Sequence, residues 1–170
     1  MSHFDPDGNP HLVDVSAKSA TVRVATAAGR VVMNAGAAEL TRSGANRKGD
    51  VLMVARLAAI QAAKMTERLI PLCHAIAIEA VEVGFEWIEG EPTDPDVSQT
   101  RVLECRVTVR TTAKTGVEME AMSGVSVACL TVYDMLKSVD RGMILGPIRL
   151  ISKSGGKSGN FRVSDPPADG

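Results

Sequence analysis

The sequence predicts a single α+β domain in which an antiparallel sheet carries long helices on one face. Segments 81–87 and 103–110 alternate apolar and polar residues with a period of two, as the strands of a half-buried antiparallel hairpin do. Segments 51–70 and 116–139 have the composition of long helices. Strands in series with long helices over one face describe an α+β sandwich.

The whole chain, residues 1–170, is predicted to be one domain. Its composition, 45% apolar and 23% charged, is that of an ordinary soluble globular protein, and no repeat or linker divides it. Segments 1–10 and 164–170 are rich in Asp, Pro and Gly, which predicts flexible ends. No segment has the character of a signal peptide or of a membrane span. We therefore expect a cytoplasmic protein.

Charge and cysteine content argue against several classes of function. With a net charge of −1, one Trp, one Tyr and three Phe, the chain is not expected to bind nucleic acid. Any anion site must be a local cluster of Lys and Arg. Cys73, Cys105 and Cys129 are odd in number and widely spaced. A disulfide framework or a structural zinc site is therefore not predicted.

In the first half of the chain we predict a strand region followed by a helix. β-branched residues between Thr21 and Met33, interrupted by Gly29, indicate a strand or a bent pair of strands. Asp50 is a suitable N-cap for the helix that follows, in which apolar residues recur at steps of three and four. Pro71 is predicted to end that helix.

The second half supplies the hairpin, the second helix and a short apolar run. Segment 89–99, which contains two prolines, is predicted to be the turn between the two alternating strands. The helix over 116–139 follows, and 143–151 is the apolar run. Both long helices need a sheet face on which to bury their apolar stripes.

The stretch SKSGGKSGN (152–160) contains the GKS triplet of a nucleotide-binding P-loop. A P-loop also requires a glycine five positions before the second one, and here that residue is Ile151; no clear helix follows either. A P-loop nucleotidase is therefore disfavoured. A loop that closes over an anion with Lys153 and Lys157 remains possible, and so does a solvated tail loop.

Two further stretches carry candidate residues with open alternatives. Lys48 precedes the cap Asp50, so it could help a helix N-terminus to bind phosphate, or it could belong to a basic turn. His74 could exchange protons or could be a hydrogen-bonded core residue. Its neighbour Cys73 has no visible activating base, which weakens the case for a cysteine nucleophile.

The long helix over 116–139 carries acidic residues at both ends. Glu118 and Glu120 fall in its first turn, where the helix dipole stabilises carboxylates. Asp134 and Lys137 are separated by three residues and are therefore neighbours on the helix surface. Such a pair is a surface salt bridge in most settings, and in a closed pocket it is an acid–base couple.

Helix geometry constrains how these two ends could cooperate. Glu120, Val127 and Asp134 are spaced by seven residues and share one face of the helix. At roughly 1.5 Å per residue the outer two are about 21 Å apart, too far for one small substrate to touch both. Both ends can serve one site if the helix of a second subunit lies alongside, antiparallel, across a two-fold axis.

A set of motifs along nearly the whole chain resembles the molybdenum cofactor biosynthesis protein C family, the cyclic pyranopterin monophosphate synthases. KTGVEMEA and KSGGKSG are the most specific of them. Two positions depart from the family pattern: Ala75 stands where a proline commonly follows the histidine, and Arg47 where a histidine often precedes Lys-Gly-Asp. The motifs are HLVDVSAK (11–18), KGDV (48–51), IQAAK (60–64), IPLCH (70–74), KTGVEMEA (114–121), YDM–K (133–137), GPIRL (146–150) and KSGGKSG (153–159).

The resemblance implies a ferredoxin-like fold and a hexamer of three dimers with active sites at the dimer interface. It also implies a lyase that rearranges (8S)-3′,8-cyclo-7,8-dihydroguanosine 5′-triphosphate to cyclic pyranopterin monophosphate and releases pyrophosphate. No redox cofactor and no protein-bound metal are implied, and Mg²⁺ accompanying the triphosphate is left open. The alternative is a non-catalytic, oligomeric nucleotide-binding paralogue.

The resemblance also implies roles for individual residues. Asp134 and Lys137 correspond to the family's catalytic acid–base pair. The residues that correspond to substrate contacts are Leu72, Cys73, His74, Glu118, Met119 and Glu120, and those that correspond to phosphate contacts are Lys48, Lys153 and Lys157.

Overall fold

The computed structural model describes residues 4, 6–88, 100–157 and 159–163. The predicted turn at 89–99, the predicted flexible end at 164–170 and part of the predicted flexible segment 1–10 lie outside these residues. The elements are β1 (Thr21–Asn34), α1 (Ala35–Ser43), α2 (Val51–Lys64), α3 (Thr66–Leu69), β2 (Ala80–Ile88), β3 (Thr100–Ala113), α4 (Glu118–Leu136), β4 (Ile144–Leu145), β5 (Arg149–Ser154) and β6 (Phe161–Arg162).

The described strands form one antiparallel sheet in the order β2-β3-β1-β5-β6, with β4 paired to β1. The predicted hairpin is present as β2 and β3, paired from Ala80↔Arg110 to Ile88↔Val102. The series β1–α2–β2–β3–α4–β5 is the βαββαβ arrangement of ferredoxin-like folds. The α+β prediction is thus confirmed.

β1 is one continuous strand that passes through Gly29 and pairs with β3 along its whole length. A Cβ atom at Gly29 would lie 2.5 Å from Val125 Cγ1 and 3.0 Å from Ile148 Cγ1. The glycine therefore marks the place where α4 approaches the sheet closely, and it does not mark a bend. Of the two predicted alternatives, the single strand is the one observed.

The first long helix is shorter than predicted. Asp50 caps α2 as expected, because its side chain accepts hydrogen bonds from the backbone N–H groups of Leu52 and Met53. The helix stops at Lys64, however, and the separate turn α3 follows. The Thr66 hydroxyl donates to the carbonyls of Ala62 and Ala63, which gives the chain a local alternative to regular helix at this point.

The helix α1, which spans Ala35–Ser43, was not predicted from the sequence. Its end signals are present: the Asn34 side chain accepts from the N–H of Ala37, and Gly44 ends the helix at a φ of 66°. The helix has nine residues and follows directly on β1. So short a segment offers few apolar residues at the three- and four-residue spacing of a helix.

α2 and α4 pack on the same face of the sheet and bury a core of small residues. The two helices come close together, since a Cβ atom at Gly124 would lie 3.2 Å from the carbonyl oxygen of Ala59. α4, predicted over 116–139, begins at Glu118 and ends at Leu136. It is buried over most of its length and holds its two polar ends at opposite sides of the domain. The buried core residues include Ala27, Val31, Ala55, Ala59, Leu103, Val107, Ala121, Val125, Ala128 and Val132.

Candidate active site

Two lysines surround Asp134 at the C-terminal end of α4. Lys137 Nζ lies 2.7 Å from Asp134 Oδ1, as the three-residue spacing predicted. Lys48 Nζ lies 3.6 Å from Asp134 Oδ2 and donates to the Asp134 carbonyl at 2.8 Å. The predicted pair is thus part of a cluster of three charges, which we call the Asp134 cluster (Lys48, Asp134, Lys137). All three side chains are about half exposed.

The loop before α2 holds Lys48 in this cluster. The Asn46 side chain donates to the carbonyl of Met135 at 3.0 Å, and its Oδ1 accepts from the backbone N–H of Lys48 at 3.0 Å. One asparagine thereby ties the start of α2 to the end of α4. Lys48 lies in the turn before α2. Its contact with Asp134 was not among the alternatives drawn from the sequence.

Electrostatics favour the charged forms of Asp134 and Lys137. The hydrogen bond and charge of Lys137, with the charge of Lys48, lower the pKa of Asp134 below its usual value. The same contact with Asp134 raises the pKa of Lys137. Near neutral pH the cluster therefore holds one carboxylate and two ammonium groups, a combination that can accept a proton, donate a proton and attract an anion.

At the other end of α4 lies a cavity of about 290 Å³, which we call the small cavity. It contains the residues that the sequence analysis assigned to substrate contacts, contributed by the segment after α3 and the first turn of α4. The irregular segment before β1 lines one side of the cavity. The lining residues are Val13, Val15, Lys18, Leu72, Cys73, His74, Ile76, Thr115, Gly116, Glu118, Met119 and Glu120.

Three polar side chains define the chemistry of the small cavity. Glu120 is only 3% exposed, and burial, with the nearby charges of Glu118 and Glu67, raises its pKa. His74 Nε2 lies 2.8 Å from the carbonyl oxygen of Val13. A carbonyl only accepts hydrogen bonds, so Nε2 carries the proton. Burial and the charge of Glu120 raise the pKa of the Cys73 thiol, which argues against a thiolate nucleophile.

A second cavity of about 990 Å³, the large cavity, adjoins the small one and shares Lys18, Thr115, Gly116 and Glu118 with it. Its cations are Lys18, Arg23, Lys114 and Lys157. The sequence analysis assigned Lys157 but missed the other three. Lys18 and Lys114 stand inside the motifs HLVDVSAK and KTGVEMEA, so the motifs contained the signal. The remaining lining residues are Ala17, Ser19, Thr21 and Gly156.

The glycines of the 153–157 segment allow it to press against β1 beside the large cavity. Gly155 and Gly156 have φ values of 93° and 80°. A Cβ atom at Gly156 would lie 1.6 Å from Arg23 Nη1, and one at Gly155 would lie 2.1 Å from the Val22 carbonyl oxygen. The described chain then continues into β6 rather than into a helix. A P-loop, in which a helix follows the loop, is therefore not formed.

Lys153 lines neither cavity, but it contacts Glu118, which lines both. Lys153 belongs to β5, and its Nζ is 2.9 Å from Glu118 Oε1. The other predicted phosphate lysine, Lys48, lies in the Asp134 cluster instead. Within one chain the Asp134 cluster and the cavities are thus separate, about 24 Å apart from Glu118 to Asp134 along α4 at roughly 1.5 Å per residue.

Two structural features bear on cofactors and location. Across the part of the chain that the structure describes, no three His, Cys, Asp or Glu side chains come together as a metal centre would require. None of the helices in that part is both long and apolar enough to cross a bilayer.

Comparison with known proteins decides the family. A sequence model of the MoaC family matches residues 12–156, which include every candidate site residue except Lys157. The chain belongs to the MoaC family.

MoaC-family relatives align with this chain over nearly their whole length. The cyclic pyranopterin monophosphate synthase of Rhodopirellula baltica is 56% identical over 161 residues, which cover 95% of this chain and 92% of the relative. The protein of that name from Desulfitobacterium hafniense is 48% identical over 165 residues, 97% of this chain and 95% of the relative. The family predicted from the motifs is therefore confirmed.

Proposed function

We propose that this protein is a lyase that converts (8S)-3′,8-cyclo-7,8-dihydroguanosine 5′-triphosphate to cyclic pyranopterin monophosphate and pyrophosphate, a step toward molybdopterin. The observation that carries the proposal is the pair of adjoining cavities, one of ring size and one lined by cations, in a chain of the MoaC family. The names of both relatives describe a synthase of this product.

The large cavity suits a triphosphate. Lys18, Arg23, Lys114 and Lys157 contribute four positive charges to its wall, although the whole chain has a net charge of −1. Lysine and arginine bind phosphate through charge-assisted hydrogen bonds. Lys153 adds a fifth cation just behind this wall, where it pairs with Glu118. The anion site is thus a local cluster, as the charge balance requires.

The small cavity suits the ring end of the substrate. Leu72 and Met119 contribute apolar surface, and His74 and Glu120 offer hydrogen-bonding groups. Burial raises the pKa of Glu120, and its carboxyl group can accept hydrogen bonds in either protonation state. A flat heterocycle with ring nitrogens and an exocyclic amine matches such a lining.

The Asp134 cluster suits the proton transfers of the ring rearrangement. Asp134 is held ionised by its two lysines and is the candidate base. Lys137 is held protonated by Asp134 and is the candidate acid. Ring opening and pterin closure move protons between nitrogen, carbon and oxygen, which such a couple can perform.

The separation of the Asp134 cluster from the cavities supports a shared site in a homodimer. Two contacts show that α2 runs antiparallel to α4. Lys48, just before α2, contacts Asp134 near the end of α4, and Ala59, farther along α2, lies against Gly124 nearer the start of α4. α2 exposes Met53 in its first turn and Leu57 at its middle, and α4 exposes Leu130 just past its middle.

A two-fold axis through this apolar region would bring the Asp134 cluster of one protomer to the cavities of its partner. The apolar side chains would be covered by the same contact. We place this dimer in a hexamer of three dimers, by resemblance to the family. The cytoplasmic location is likewise part of the proposal.

We propose no resident cofactor, with Mg²⁺ accompanying the triphosphate as the open alternative. The carboxylate in the lining of the large cavity, Glu118, is already paired with Lys153. Turnover after treatment with EDTA, compared with turnover after Mg²⁺ is restored, tests this point. A requirement for a transition metal would contradict it.

The decisive experiment is incubation of the purified chain with the cyclised triphosphate, followed by mass spectrometry of the products. The proposal expects cyclic pyranopterin monophosphate and one equivalent of pyrophosphate. Asp134→Ala should fold and assemble normally and form no product. Hydrolysis of GTP to free phosphate would indicate a nucleotidase, and GTP binding without any product would indicate the non-catalytic paralogue.

A further inference from the structure

Glu118 occupies the junction between the small and the large cavity. It is one of the residues that line both, and its Oε1 pairs with Lys153 Nζ at 2.9 Å. The pair is partly buried, with the two side chains 29% and 25% exposed. A Cβ atom at Gly116 would lie 1.9 Å from Glu118 Oε2, so the carboxylate folds back over the backbone of Gly116, which also lines both cavities.

Within the described residues, each end of α4 thus carries a carboxylate paired with a lysine. Asp134 and Lys137 form the first pair, and Glu118 and Lys153 form the second. The proposed reaction also has two kinds of step that need a base. One is the movement of protons on the ring system, and the other is the attack of a hydroxyl group on phosphorus.

We propose that Glu118 is the general base for closure of the cyclic phosphate, an inference that rests on the proposed function. With the ring in the small cavity and the phosphates among the cations of the large one, the sugar-derived carbons and the α-phosphate span the junction. Glu118 is the carboxylate among the residues shared by the two cavities. A general base must lie within hydrogen-bond reach of the proton that it removes.

The step balances as a displacement at phosphorus. The Glu118 carboxylate takes the proton of a sugar-derived hydroxyl group while that oxygen forms a bond to the α-phosphorus. The bond from the α-phosphorus to the bridging oxygen of the β-phosphate breaks, and pyrophosphate leaves with those electrons. No oxidant, reductant or co-reactant is needed.

Lys153 gains a new partner as this step proceeds. Before it, the ammonium group faces the ionised carboxylate at 2.9 Å. When Glu118 becomes neutral, negative charge develops on the phosphoryl and leaving-group oxygens, and the ammonium group is positioned to stabilise it. The pair thus links proton removal at one oxygen to charge stabilisation at another.

Glu118→Gln tests the proposal because affinity and rate should change in different directions. Loss of a negative charge beside the cations should leave GTP, a non-cyclised triphosphate, bound at least as tightly in calorimetry. Pyrophosphate release from the cyclised substrate should fall by about 10²–10⁴-fold, the contribution typical of a general base. Glu118→Asp keeps the carboxylate and should recover part of the rate. Glu39→Gln, which changes an exposed carboxylate on α1, is the matched control.

Two results would overturn the role of Glu118. One is pyrophosphate release by Glu118→Gln that is slowed less than tenfold. The other is a loss of rate matched by an equal loss of GTP affinity in both Glu118 variants, which would make the residue a binding group only. Failure of the proposed function is distinguishable, since the wild-type chain would then form no cyclic product.

Discussion

Active-site complementation tests whether one site draws on two chains. The perturbation pairs Asp134→Ala, in the Asp134 cluster, with Lys153→Ala, beside Glu118 at the junction of the cavities. Within one chain these positions lie at opposite ends of α4: Lys153 contacts Glu118 at 2.9 Å, and Glu118 is about 24 Å from Asp134 at roughly 1.5 Å per residue. If sites are shared, each variant alone should lose about 10²-fold or more in turnover.

The expected recovery follows from the geometry. In a dimer that contains one chain of each variant, one composite site receives both substituted residues and the other receives none. Random pairing makes about half of the dimers mixed, so about one quarter of wild-type activity should return. The assay is co-expression with two different tags, followed by measurement of pyrophosphate release on the purified mixture.

A matched pair of variants gives the control. Asp134→Ala co-expressed with Lys137→Ala affects one cluster only, so no mixed dimer contains an intact site and activity should stay at the level of the single variants. The shared-site reasoning is refuted if the Asp134 and Lys153 variants recover no more than this control pair does.

Three further predictions follow from the electrostatics and the packing. Lys48→Ala should raise the pKa of Asp134, because the charge of Lys48 lowers it. The acid limb of the kcat/KM profile, where Asp134 is protonated as pH falls, should then move to higher pH. An unmoved limb would contradict the role of Lys48. Burial raises the pKa of Glu120, so the wild-type fold loses stability as pH rises above the unfolded value of about 4.3. The Tm of Glu120→Gln relative to wild type should therefore increase from pH 4 to pH 7 in thermal denaturation, and a constant difference would be evidence against this. Gly156→Ala places a Cβ atom on Arg23 at a positive φ, at a cost on the order of 1–3 kcal/mol, and should raise KM for the triphosphate more than it lowers kcat.

Several elements could be predicted from the sequence because their signals are local. The period-two alternation in 81–87 and 103–110 predicted the β2–β3 hairpin, and Asp50 predicted the start of α2. α1 was missed because a short helix that follows a strand directly offers few periodic positions. The end of α2 was misplaced because the chain leaves regular helix at Met65, and only the single turn α3 continues toward Pro71.

The candidate site was only partly predictable. The contact between Asp134 and Lys137 followed from their spacing on a helix, and the motifs indicated the residues of the small cavity. The cation wall formed by Lys18, Arg23 and Lys114 was not predicted. These residues come from segments that meet only where β1 pairs with the end of β3, at Thr21↔Ala113.

By itself the sequence determined the hairpin, the cap of α2, the family and the residue types available for chemistry. The strand alternation and the helix cap depend on residues close together in the chain, because backbone geometry sets the spacing of side chains on each face. Only the tertiary structure decided that Lys48 joins Asp134 and that Glu118 meets Lys153. Such contacts join segments far apart in the chain, and they exist because the helices must bury their apolar faces on one sheet.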